Sequence, residues 1–191
     1  MARPLPKERR AISVFWVTDD VAALIAERVI DVPDFPKQGI IFKDLNPLLA
    51  DGEAFEKIID AIVERYAGEF DVVVGIEARG FVLAAATAYA TGTGVVMMRK
   101  AGKLPRVAYA ASYALEYGEA TLEINDGAFK AGQRALIVDD VLATGGTAEA
   151  ALGLVESAGA SVAGFVVLLE LSFLHGRQRL DGRPVHALLT V

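Results

Sequence analysis

The chain has 191 residues, of which 19 are basic and 25 acidic, for a net charge of −6, and 53% are hydrophobic. This is enough sequence for one domain burying roughly 70% of its unfolded surface, and it is too apolar for a disordered chain. The acidic balance speaks against nonspecific binding to nucleic-acid phosphates, and the absence of cysteine excludes disulfides, thiolate nucleophiles and zinc–thiolate sites.

Other exclusions come from position. No run reaches 18 apolar residues, so no membrane span is expected, and the basic start has no apolar leader core. His175 and His186 stand 11 apart with no metal or triad spacing around them. A cysteine-free chain without these signals suits a cytoplasmic protein.

A single domain over 1–191 is expected, with 1–18 as a tail. Asp19-Asp20 cap a helix over about 20–31, with Val21, Leu24, Ile25 and Ile30 near helical spacing. Residues 32–49 hold prolines and a glycine and read as an irregular, shaped segment centred on Phe42. Residues 53–67 form a helix with Phe55, Ile58, Ile59, Ile62 and Val63 on one face. Strand and helix then alternate: 70–76 strand, 80–91 alanine-rich helix, 94–98 strand, 135–139 strand, 147–158 helix, 161–171 strand. Continuous apolar strands separated by helices imply an α/β fold with a mostly parallel sheet covered on both faces. Residues 99–124 break the rhythm. A basic stretch there leads into two short strands around Tyr117-Gly118-Glu119, a flexible loop and antiparallel flap of the kind that makes a lid.

The most informative stretch is ALIVDDVLATGGTAEAA, 135–151. Asp139 and Asp140 stand at the carboxyl end of a strand, where open α/β sheets collect ligands. Behind them, Ala143-Thr144-Gly145-Gly146-Thr147 can wrap backbone N–H groups around an anion, helped by the positive end of the next helix. Carboxylates repel phosphate, so the acid pair serves another part of the ligand: sugar hydroxyls or a magnesium ion. The target is a phosphorylated sugar. The plainer reading of these residues alone is a strand–turn–helix with an aspartate as cap. No lysine follows the glycines, so this is not a Walker motif.

LIVDDVLATGGT resembles the 5-phosphoribosyl-1-pyrophosphate (PRPP) signature of type I phosphoribosyltransferases. The resemblance implies that Asp139 and Asp140 hold the ribose hydroxyls and that the loop from Ala143 through Thr144, Gly145 and Gly146 to Thr147 holds the 5′-phosphate. VPDFPKQGIIFKDLNPLL (32–49), GIEARGF (75–81), RKAGKLP (99–105) and YALEYG (113–118) follow in the order found in the adenine-specific branch of that family. The resemblance spans about 20–180 and implies a small base-binding hood at 32–49 and the flap at 99–124.

For the other residues the resemblance implies a division of roles. The turn Glu77-Ala78-Arg79-Gly80, which in the family often holds a cis non-proline peptide, binds pyrophosphate together with Arg99, Lys100 and Lys103. Ile41, Phe42 and Lys43 line the adenine site, with Phe42 stacking, and Leu171 covers the other face of the base. Glu116 in the flap handles the purine proton as catalytic acid, and Tyr117 helps to close the site. The implied reaction turns adenine and PRPP into AMP and pyrophosphate with Mg²⁺, in a homodimer that binds neither nucleic acid nor membrane. A xanthine- or guanine-type phosphoribosyltransferase and a non-catalytic PRPP-sensing regulator are the rival expectations. Two departures stand out: the helix after Arg79, FVLAAATAYA, is richer in alanine than the family pattern, and the tail before residue 20 is longer than the minimal family start.

Overall fold

The computed structural model describes residues 18–114, 119–180 and 182–191. Helix α1, Thr18–Arg28, leads into a two-stranded antiparallel ribbon of β1, Ile30–Pro33, and β2, Ile41–Asp44. The helix thus stops short of the expected 31, and part of the segment read as irregular is strand. The turn between these strands bends through Asp34 at φ 57° and a cis Phe35–Pro36 bond. Its prolines masked the pairing in the sequence. Two helices follow, α2 (Asn46–Ala50) and α3 (Gly52–Arg65). Asp51 caps α3 by accepting from the N–H groups of Glu53 and Ala54, which satisfies two of the donors left open in a first turn.

The centre is a seven-stranded sheet. Its strands are β3 (Val72–Ile76), β4 (Gly94–Lys100), β5 (Val107–Ala114), β6 (Glu119–Asn125), β7 (Arg134–Leu142), β8 (Ser161–Glu170) and β9 (Val185–Thr190), in the order β5-β6-β4-β3-β7-β8-β9. The run from β4 through β3, β7 and β8 to β9 is parallel. Helix α4, Gly80–Thr91, crosses from β3 to β4, and α5, Gly146–Ser157, from β7 to β8.

Each face of the sheet buries its own core. One face packs Val72, Val74, Ile76, Ile137 and Phe165 against α5 through Ala148, Ala151, Leu152 and Val155. The other packs Val73, Leu136, Val138, Val166 and Leu168 against Ile25 of α1, Ile58 and Ile62 of α3 and Leu83 of α4. A fully buried side chain of this size contributes roughly 1.5–3 kcal/mol relative to exposure. β3 and β7 are buried on both sides, which is why their sequences read as unbroken apolar runs.

Two features depart from expectation. β4 runs on to Lys100, because Arg99 and Lys100 pair with Glu123 and Leu122 of β6. The hairpin β5–β6 is therefore not a separate flap at its root. It extends the sheet, with Leu122 and Ile124 fully buried. β9 had no clear sequence signal: its residues are only partly buried at the sheet edge and it follows a Gly-Arg-Pro turn.

Candidate active site

The carboxyl ends of β3, β4, β7 and β8 meet along one edge of the sheet, where the nominated residues from the turn at 77–80, the basic stretch, the 139–147 segment and Leu171 lie, while Ile41, Phe42 and Lys43 sit on β2. Asp139 and Asp140 lie in the carboxyl-terminal part of β7 and are only 7% and 8% exposed. Asp139 accepts from the Asp140 N–H at 2.9 Å. Burial, and then the neighbouring Asp140 charge, pushes the Asp139 carboxyl well above the usual carboxylate range.

Behind this pair the loop 143–147 turns into α5. Gly145, at φ 84°, occupies the N-cap position, in a left-handed conformation that favours glycine. Thr144 is exposed, while Gly145 and Gly146 are buried. A Cβ on Gly145 would collide with the Gly176 carbonyl, and one on Gly176 would collide with the Ala143 carbonyl and stand 2.8 Å from the Gly145 nitrogen. The loop thus rests, backbone on backbone, against a turn from the far side of β8.

The turn after β3 carries Glu77, Ala78, Arg79 and Gly80, with a cis Glu77–Ala78 peptide. A Cβ on Gly80 would come within 2.7 Å of the Val138 carbonyl and 3.0 Å of an Asp139 carboxylate oxygen, so only glycine lets α4 start this close to β7. Arg79 donates from Nε to Asp140. Its guanidinium also lies over the Phe42 ring, 5.7 Å from the centroid. Phe42 is braced in turn by Phe35, edge-on at 5.2 Å. One arginine therefore joins the acid pair to the aromatic of the N-terminal ribbon.

A second cluster gathers the basic residues. Glu77 accepts from Lys103 Nζ and from the Lys100 N–H at 2.9 Å. Arg99 Nε is buried 3.6 Å from Glu77 and has no hydrogen-bond partner. The Lys103 ammonium, then burial working the other way, leaves the Glu77 carboxyl below its ordinary value. The Lys100 side chain is exposed and only its backbone joins the cluster.

The remaining nominated residues are less tightly engaged. Ile41 is 57% exposed. Lys43 is held in an ion pair with Asp31 across the ribbon, 2.7 Å apart. Leu171 follows β8, and its N–H donates to the Leu142 carbonyl at 2.9 Å, directly before the phosphate-type loop. Glu116 and Tyr117 lie outside the described residues.

Sequence reasoning missed one element. Glu170, at the end of β8 and 6% exposed, accepts from Arg177 Nε at 2.9 and 3.1 Å and from its Nη2, while Arg177 Nη1 donates to the Val185 carbonyl at 2.8 Å. The Gly176-Arg177 dipeptide was the available signal.

The phosphoribosyl transferase domain family matches residues 45–183. An adenine phosphoribosyltransferase of Salinispora tropica is 72% identical over 174 residues, covering 90% of this chain and 92% of the relative, and that of Salinispora arenicola is 70% identical over 172 residues with the same coverage. The crystal structure of adenine phosphoribosyltransferase from Rhodothermus marinus superposes with a TM-score of 0.85 at 45% identity, over 91% of this chain and 99% of that one. The Saccharomyces cerevisiae enzyme, solved with adenine and an imino-altritol bisphosphate, gives 0.84 at 40% identity, over 90% and 99%. With this fold and these relatives, the chain belongs to the phosphoribosyl transferase family and, within it, to the adenine phosphoribosyltransferases, which are glycosyltransferase enzymes.

Proposed function

We propose that the residues along this sheet edge convert adenine and PRPP to AMP and pyrophosphate in the following way. The observation that carries the reading is the meeting of three groups: a buried acid pair, a small-residue loop at a helix N-terminus, and an arginine that spans from that pair to an aromatic face. The backbone N–H groups of 144–147 and the Thr144 and Thr147 hydroxyls hold the 5′-phosphate. Asp139 and Asp140 accept from the ribose hydroxyls. Ala78, Arg79 and Gly80 hold the pyrophosphate with Arg99, Lys100 and Lys103, and Glu77 aims the Arg99 and Lys103 cations while holding the Lys100 backbone. The unsatisfied Nε of Arg99 is a donor suited to such an anion.

Adenine stacks on Phe42 beside Ile41 and Lys43, with Leu171 on its other side. Glu116 takes up or relays the imidazole proton as the ring nitrogen attacks the anomeric carbon and the bond to pyrophosphate breaks, and Tyr117 helps to close the site against water. Catalysis is positioning and charge stabilisation. Two adjacent carboxylates beside a phosphate site suit Mg²⁺, an ion that is commonly shared between one or two carboxylates and substrate phosphates. Asp139 or Asp140 would hold it through water, and its chemistry is to neutralise charge on the departing pyrophosphate.

The protein works as a homodimer. Val82 and Tyr89, two turns apart on α4, and Val95 and Met97, on one face of β4, are 45–79% exposed and make an apolar patch beginning beside the pyrophosphate turn. A cytoplasmic location accords with a cysteine-free chain.

The test is pyrophosphate release from PRPP and Mg²⁺ with adenine, hypoxanthine, guanine and xanthine, beside Glu116→Ala. Turnover with adenine alone, lost mainly in kcat in the variant, is the expected result. Turnover with a 6-oxopurine overturns the base assignment. PRPP binding without turnover on any base makes the chain a sensor.

A further inference from the structure

The loop Ala143-Thr144-Gly145-Gly146 has almost no side chain with which to hold its own shape. Backbone N–H groups grip an anion only if they are aimed before it arrives. Something else must fix them, and a closed circuit of contacts does so. Leu142 and Glu170 are register partners at the ends of β7 and β8. From Leu142 the chain runs into the loop, and the loop lies against the Gly176 backbone at Ala143 and Gly145. Arg177, the next residue, returns the circuit to Glu170 through its bidentate ion pair and to β9 through the Val185 carbonyl.

We infer that the Glu170–Arg177 pair is a positioning device that sets the anion-binding geometry of the loop, and so tunes affinity for the phosphorylated sugar and not for the base. The inference rests on the proposal that 143–147 holds the 5′-phosphate. All three nitrogens of Arg177 are already used within the protein. With each of its nitrogens so engaged, Arg177 acts as a positioning residue through Gly176. Without the brace the turn at 175–177 keeps its local backbone bonds, such as Gln178 N–H to the His175 carbonyl and His175 N–H to the Ser172 carbonyl, but loses its side-chain tie to β8 and β9. The loop then loses its backstop.

The experiment uses the full chain with Arg177→Ala, Arg177→Lys and Glu170→Gln, and with Gly145→Ala as a control on the loop itself. Steady-state kinetics give KM for PRPP, KM for adenine and kcat. Calorimetry with ribose 5-phosphate reads the phosphate subsite without pyrophosphate, and thermal melts report folding. For Arg177→Ala, the expected result is a rise of roughly tenfold in both KM for PRPP and Kd for ribose 5-phosphate, with KM for adenine and kcat within about threefold. Arg177→Lys, which keeps one charge contact with Glu170 but cannot also hold Val185, falls between and serves if the alanine variant does not fold.

A drop in melting temperature with unchanged PRPP and ribose 5-phosphate affinity would make the pair a structural clamp only and overturn the inference. So would a rise in KM for adenine alone, which would mean that the pair serves Leu171. The Gly145→Ala control separates the two readings. If it keeps ribose 5-phosphate affinity, the phosphate-loop assignment fails and takes the inference with it. If it loses that affinity while Arg177→Ala keeps it, only the inference fails.

Discussion

Arg79 holds Asp140 with its Nε while its guanidinium covers Phe42 at 5.7 Å, so one side chain occupies the approaches to both the sugar and the base positions. In the proposed reaction, PRPP draws Arg79 off Asp140 and toward pyrophosphate, which uncovers the aromatic face at the same time. Arg79→Lys keeps the charge but loses the planar fork that serves both contacts. We expect kcat/KM for PRPP to fall roughly 10²-fold, the scale of losing one preorganised donor. The side chain is 40% exposed, so the melting temperature should stay within about 2 °C. Steady-state kinetics beside a thermal melt would check this, and a large loss of stability with normal turnover would contradict it.

Asp139 gives the opposite pattern. Its carboxyl binds a proton more tightly in the folded protein than in the unfolded chain, because of burial and then the charge of Asp140. The stability it allows is complete below the ordinary carboxylate value of 3.8 and is lost as pH rises through the higher folded value. Asp139→Asn keeps an oxygen for the Asp140 N–H without the charge. The variant should therefore melt higher than the parent at pH 7, on a scale of about 2–4 °C per kcal/mol, and lose this advantage in acid below 3.8. Turnover should fall, since a ribose acceptor is gone. Melts at pH 7 and in acid, with activity at pH 7, decide it.

Far from the site, Asp71 and Arg134 clasp the starts of β3 and β7 through three hydrogen bonds. The Arg134 guanidinium lowers the Asp71 carboxyl to about 2. The stability this pair adds is present above 3.8 and disappears as pH falls toward about 2. Asp71→Asn should lower the denaturation midpoint at neutral pH, converge on the parent in strong acid and leave KM and kcat unchanged. Urea titrations across that range are the measurement.

The apolar patch on α4 and β4 predicts an assembly. Met97→Lys places a charge in the middle of it, and the side chain is 49% exposed, so a monomer loses nothing by accepting it. Sedimentation velocity should give a dimer for the parent and a monomer for the variant. A monomeric parent would remove the patch as an interface.

How much of this was legible in the sequence depends on the range over which the signal acts. The helix at 80–91 and the inward set Ala148, Ala151, Leu152 and Val155 agree with the observed elements, because helical spacing is local. The site motifs were legible because a strand end, a glycine and a helix start are consecutive in the chain. The ribbon of β1 and β2 was hidden, since its strands are short and a proline-containing turn separates them. β9 lacks the buried alternation that marks a strand. The contact of Arg79 with Asp140, 61 residues away, depends on which strands become neighbours, and that of Arg177 with Glu170 on how the chain folds back after β8. No periodicity records that.

The hairpin β5–β6 joins the parallel sheet at its root, where Arg99 pairs with Glu123, Lys100 with Leu122, and the Ala101 N–H donates to the Thr121 carbonyl at 3.0 Å. Hairpin root and basic cluster are thus one continuous piece of backbone. The rungs at that root are held by residues that contact Glu77 of the turn after β3, and the Gly102 N–H is tied back to the Glu123 carboxylate at 3.0 Å. Under the proposed function, the hairpin and the cations that hold the anion share one stretch of backbone. Pyrophosphate held at the proposed site would therefore bear directly on the root of the hairpin, with no relay between the two.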